Sequence, residues 1–211
     1  MSHSSTPELL ALHGVRLRGF ADTEGIARRF GLGVTETATV LQDAQRRGWA
    51  VHTAFAGLSG WSLTETGRNE NQRQLQEELA VARAEGEIRA IYGDFLPLNV
   101  RLLKACTDWQ LKPTGSDGFA ANDHTDTSWD LGVLDELERL AQHLAPLAGA
   151  LATALTRFCG YHTRFSEALR RAQAGEREWV DRTHIDSCHR VWFELHEDLV
   201  ATLGIDRTAE W

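Results

Sequence analysis

WSLTETGR, Trp61 to Arg68, joins an aromatic, strand-like stretch to a long polar run that begins NENQRQLQEEL. Thr64 has the side chain that suits the first turn of a helix, where a hydroxyl oxygen can accept from a free backbone N–H, and Glu65 places an acid at the positive end of the helix dipole. The junction therefore predicts a strand that passes directly into a capped helix. Upstream, WAVHTAFAGLSGWSL has no helical stripe. Its Trp, Val, Phe and Thr flank Gly57 and Gly60, a pattern that predicts a hairpin with those glycines about its turn.

Three helices are predicted before that hairpin. The first runs from Glu8 to about Arg18, with Pro7 suited to its opening turn. The second, EGIARRF, is capped by Asp22 or Thr23 and ended by Gly31. The third, TETATVLQDAQRRG, has Thr35 as its expected N-cap, Val40, Leu41 and Ala44 as an inward stripe, and Gly48 as its stop.

Three helices, a two-stranded hairpin and then Leu63, Thr64, Gly67 and Arg68 resemble the winged-helix domain of MarR-type bacterial transcription regulators, as does the run IARRFGLGVTETATVLQDAQRRGWAV from Ile26 to Val51. The resemblance covers roughly residues 8–70. It implies a DNA-binding domain over residues 1–70 and a connector or dimerisation helix over 71–93. The helical patterning beyond gives a helical effector and dimerisation domain over 94–211, so the expected fold class is mainly α, a winged helix-turn-helix followed by an all-α domain. In such a domain the third helix enters the major groove of double-stranded DNA. By position its outward face is Thr35, Glu36, Ala38, Thr39, Gln42 and Arg46, with Arg28 and Arg29 of the second helix as phosphate contacts. The hairpin departs from the family pattern. It has no Arg or Lys between Trp49 and Leu63, which weakens the phosphate contribution to binding unless dimerisation doubles the contacts.

Charge runs in the same direction. Residues 1–68 hold seven arginines against six acids, which leaves fifteen Lys and Arg against twenty-four Asp and Glu in the remainder. A nucleic-acid-binding module on an acidic body has this asymmetry. No run of residues is apolar enough to span a bilayer, MSHSSTPELL lacks the features of a secretory signal, and the three cysteines are odd in number and far apart. The expectation is a cytoplasmic protein with no membrane partner and no disulfide framework.

Beyond residue 70 the patterns are helical: a long helix from Asn71 to about Tyr92, a packed helix through DFLPLNVRLLKACTDWQL, a helical region from Trp129 to about Arg171 broken near Pro146 and Gly160, and a final helix from Asp186 to Leu203 capped by Asp186 or Ser187. The interval 112–128, with Gly115, Gly118 and the cluster Asn122 to Asp126, reads as a loop.

Aromatic walls with a few polar anchors describe a small-molecule site. Trp109, Trp129, Tyr161 and Trp192 supply walls, and His124, Arg157, Arg164, His189 and His196 supply anchors for an effector. The alternative is a small-molecule enzyme, or an accessory protein of one, that uses the winged helix as a scaffold. Its general acid and base groups would come from Asp123, His124, His189 and Glu194. No P-loop, GxGxxG, CxxC pair, HExxH or GxSxG is present, so no cofactor is expected. His184 and Cys188 have helical spacing for a metal, but His189 and His196 are two turns apart and cannot share one ion.

Overall fold

The computed structural model describes residues 3–55, 57–114 and 118–205 of the 211-residue chain. Among them are eight α-helices and two two-stranded antiparallel sheets, so the protein is mainly helical. They divide into two compact units that interleave in sequence. The first is Met1–Ile88 with Thr153–Arg157 and Glu197–Trp211, and the second is Arg89–Ala152 with Phe158–His196.

The first unit begins with α1 (Pro7–Arg18), α2 (Thr23–Phe30) and α3 (Val34–Arg46). Thr6 caps α1 by accepting from Leu9 N, and Asp22 caps α2 by accepting from Gly25 N at 2.7 Å. The cap of α3 differs from expectation. The helix starts two residues earlier, at Val34, after Gly33, and Thr35 lies inside its first turn with its side chain exposed. Leu12, Val15, Ile26, Leu41, Ala44 and Trp61 form the core these helices share.

The hairpin β1 (Ala50–Phe55) and β2 (Leu58–Leu63) pairs Ala50 with Leu63 and His52 with Trp61. Gly60 is inside β2, not at the turn. The reason is steric: a Cβ there would lie 2.8 Å from the Phe20 ring and 2.9 Å from the Ala21 carbonyl, where Ala21 bridges Trp61. At the end of β2 the chain enters α4 (Glu65–Ala82), and Thr64 Oγ1 accepts from Gly67 N at 3.0 Å while donating to Gly48 O at 2.7 Å. One side chain thus caps α4 and ties it to the segment after α3.

The single helix expected over 71–92 is two. α4 ends where Arg83 takes the left-handed conformation (φ 53°), and α5 runs Glu85–Gln110. Gly86, the obvious breaker by sequence, is inside α5. Pro97 in α5 and Pro146 in α6 (Thr127–Ala154) do not end their helices. Each costs one backbone donor, and buried Leu98 and Leu102, or Leu144 and Ala148, hold the helix on course.

The 112–128 interval is also not wholly a loop. β3 (Leu111–Thr114) and β4 (Gly118–Ala121) pair antiparallel, which adds a hairpin to a region expected to be all-α. Gly115 lies outside the described residues. After a break at Gly160 (φ 89°), α7 (Tyr161–Gln173) follows. α8 (Cys188–Leu203) is capped by Ser187, whose Oγ accepts from Arg190 N. No helix among the described residues is long and apolar enough to cross a membrane.

Candidate functional site

In the first unit α3 presents a solvent-facing stripe. Thr35, Thr39, Gln42 and Arg46 are all exposed and recur at intervals of three or four residues, while Thr37, Leu41 and Ala44 are buried on the opposite side. Glu36 is exposed beside the stripe. Arg46 Nη2 donates to Asp43 Oδ1 at 2.9 Å, and Arg47 Nε reaches the other oxygen at 2.7 Å. These contacts, Arg46's hydrogen bond first, hold the Asp43 carboxyl below its ordinary range. Exposed pairs of this kind are weak and exchange readily for a phosphate. On α2, Arg28 is exposed, and Arg29 is half-buried with its guanidinium 4.7 Å from the Phe30 ring centre. In the hairpin, His52 Nε2 and Ser59 Oγ are 3.0 Å apart.

The same unit contains a buried polar network without a local sequence signal. Arg157 Nε donates to Glu78 Oε2 at 2.7 Å, Nη1 to Asp198 Oδ1, and Nη2 to Thr202 Oγ1 at 2.6 Å. His13 Nε2 is 2.9 Å from the same Asp198 oxygen, and His13 Nδ1 is 3.3 Å from Asn71 Oδ1. Burial pushes the Asp198 carboxyl up, but the positive charge of Arg157 and the contact with His13 outweigh it and hold it well below the usual carboxylate range. Arg157, expected to anchor a ligand, is therefore committed inside the first unit with no exposed side-chain surface.

In the second unit the expected ligand residues disperse. Trp192 is a core residue, stacked 5.0 Å from Phe95 and 5.5 Å from Phe165, with Nε1 donating to Asn99. Tyr161 is wholly buried, and its hydroxyl donates to Glu194 O at 3.4 Å. Arg164 grips Glu194 with two bonds of 2.8 Å and Asp186 with one of 3.0 Å. That arrangement occupies both the expected carboxylate anchor and the expected acid/base Glu194, so neither is offered to a ligand. His196 packs on Tyr92 and Phe95. His189 is half-buried 6.5 Å from Phe193, and desolvation lowers its pKa while nearby Asp181 opposes the shift. Trp129 Nε1 donates to Asp108 O at 2.7 Å beside a hollow of about 360 Å³.

Trp109 and His124 do come together. Their rings are 4.6 Å apart, and both line a cavity of about 880 Å³ with residues 175–178 and 181–183. His124 Nδ1 lies 3.0 Å from both oxygens of Asp130. A carboxylate acceptor requires Nδ1 to carry the hydrogen, which leaves Nε2 as the ring's lone pair. Asp130 is in the first turn of α6 and also accepts from Asn122 Nδ2 at 2.9 Å. His124 has φ 59°, a conformation that costs a non-glycine residue about 1 kcal/mol or more. Asn122 holds it there by accepting from His124 N at 3.1 Å. Asp123 turns away to accept from Thr125 N and Oγ1.

Comparison with protein-family models, curated proteins and solved structures returns no match for this chain. Among the described residues no three His, Cys, Asp or Glu side chains are grouped to hold a metal ion. Asp130 and the 175–183 segment are the site residues that sequence reasoning missed. The one available signal was the Asn122–Asp126 polar cluster running into a helix start, which marks His124 but not its partner.

Proposed function

We propose that the chain is a homodimeric, cytoplasmic transcription regulator of the MarR winged-helix type. It reads double-stranded DNA with α3 and takes a small-molecule effector in its second unit. The observation that carries this reading is the α3 stripe. Thr35, Thr39, Gln42 and Arg46 project from a helix anchored on its other side by Leu41 and Ala44. Gln42 can pair with a base edge, Thr35 and Thr39 can contact bases or phosphate, and Arg46 can exchange Asp43 for phosphate. Arg28, Arg29 and the β1–β2 hairpin would flank that contact, with Glu36 accepting from a cytosine amino group. A ligand couples to DNA only to the extent that it binds the DNA-competent and incompetent states unequally.

Fluorescence anisotropy on the promoter-region duplex and a scrambled duplex, at two salt concentrations, tests the DNA reading. Arg46→Ala is expected to weaken both duplexes alike and to reduce the salt slope by about one. Gln42→Ala is expected to cost roughly 1–3 kcal/mol on the specific duplex only. Absence of binding at low salt would overturn the proposal.

The His124–Asp130 pair favours a second reading, an enzyme in which Nε2 acts as general base. Of the expected acid and base groups, only His124 lines the cavity.

A further inference from the structure

The charges on the cavity wall beside His124 have an arrangement that the effector reading does not by itself require. Glu176 is neutralised, because Arg171 Nε reaches both its oxygens and Nη2 donates at 2.7 Å. Asp181 gives one oxygen, Oδ2, to Gln110 Nε2 at 2.7 Å. Among the described residues the Arg177 guanidinium donates only to the His124 carbonyl, at 3.4 Å. Glu178 and Arg182 are exposed, and neither makes a side-chain ion pair among the described residues. Residues 177–182 therefore present two guanidiniums and two carboxylates to one cavity without closing them on each other.

A ligand with a single charge would meet an opposite charge on this wall and a like charge a few residues away. A ligand with one cationic and one anionic group can satisfy both. With Nδ1 turned to Asp130, the ring's other nitrogen, His124 Nε2, faces away from that carboxylate and can accept from an ammonium N–H. Trp109 and the His124 ring add a flat, largely apolar wall. We propose that this cavity binds a zwitterion of the amino-acid class, a free amino acid or a short peptide. Its carboxylate lies on Arg177 and Arg182, its ammonium on Glu178, Asp181 and His124 Nε2, and its side chain along Trp109. The inference rests on the reading that the second unit takes a small molecule. It needs no DNA.

Titration calorimetry on the full chain, without DNA, separates the two sources of this chemistry. One arm uses each of the twenty standard amino acids, and the other uses the glycyl dipeptide of each. For the best ligand, analogues lacking either the amine or the carboxylate are expected to bind at least roughly tenfold more weakly, as loss of a charge-assisted contact implies. Arg182→Ala should weaken the zwitterion about tenfold and leave the analogue without a carboxylate unchanged. Glu178→Gln should do the converse with the analogue lacking the amine. Both side chains are exposed, so neither change threatens the fold. Failure of every ligand in both arms overturns the proposal, as does a singly charged analogue that binds as tightly as the zwitterion, or variants that bind like the parent. Because calorimetry and anisotropy share no component but the protein, either can fail alone.

Discussion

Gly67→Ala is expected to be among the most damaging single-methyl additions this chain can suffer. A Cβ at Gly67 would lie 1.8 Å from the Trp49 carbonyl oxygen and 2.7 Å from its carbon. That carbonyl cannot easily move, because it accepts from Thr64 N at 3.0 Å and from Thr64 Oγ1 at 3.2 Å. Relief would require α4 to separate from the segment after α3. A loss of roughly 3 kcal/mol or more is expected, and a drop in melting temperature of about 6–12 °C for a chain of this size. Gly86→Ala is the control. It lies inside α5 with nothing within 4 Å of its added methyl, so the change is expected to be neutral or to stabilise by about 0.5–1 kcal/mol. Thermal unfolding of the two variants beside the parent decides the matter, and a Gly67→Ala protein melting within about 2 °C of the parent would refute the argument.

The second large effect is expected at Arg157. Arg157→Met keeps most of the side-chain volume and removes the charge, which strands the buried carboxylates of Asp198 and Glu78. Breaking one partner out of a buried ion network costs about 3–5 kcal/mol. The pH dependence should also change sign. In the parent, the Asp198 pKa is lower folded than unfolded, so its contribution is present above the unfolded value and is lost only as pH falls through the depressed folded one. Without Arg157, burial is no longer opposed by the guanidinium charge. The folded pKa then moves above the unfolded value, and acidification relieves the variant while it does nothing for the parent. Urea unfolding at neutral and mildly acidic pH measures both effects. A variant that loses under about 1 kcal/mol, or that keeps the parent's pH slope, contradicts the network's role. Adding Asp198→Asn and Glu78→Gln should restore much of the loss, since neutral groups carry no stranded charge.

What the sequence disclosed and what it hid follow physical lines. Caps are local chemistry, so Asp22, Thr64 and Ser187 are legible as helix starts, and each of the three does accept from its own first turn. Breaks are decided by tertiary packing. Arg83 adopts a left-handed turn that its side chain does not advertise, while Gly86, Pro97 and Pro146 stay inside helices whose buried faces hold them. The β3–β4 hairpin was hidden because its four-residue strands are largely exposed and carry no alternating pattern.

The same division holds for the site. His124 stands out as a histidine among turn-forming residues, but Asp130 reads as an ordinary first-turn acid. Arg164 and Glu194 each look like a functional group when seen alone. Thirty residues apart, they turn out to consume one another. No inspection of either segment separately could show that.

The buried network has a consequence for how the polypeptide is made. Its members are strung along the chain at positions 13, 78, 157 and 198. On a ribosome, about 120 residues must be added after Glu78 before Asp198 exists, on the order of ten seconds of translation. Glu78 waits about 79 residues for Arg157, and His13 waits through the whole interval for Asp198. The α1–α3 core, drawn from residues 11–61, can close early, but the faces of α1 and α4 that carry His13 and Glu78 exist before the polar interior they close upon. That is the stretch in which a chaperone would have most to protect.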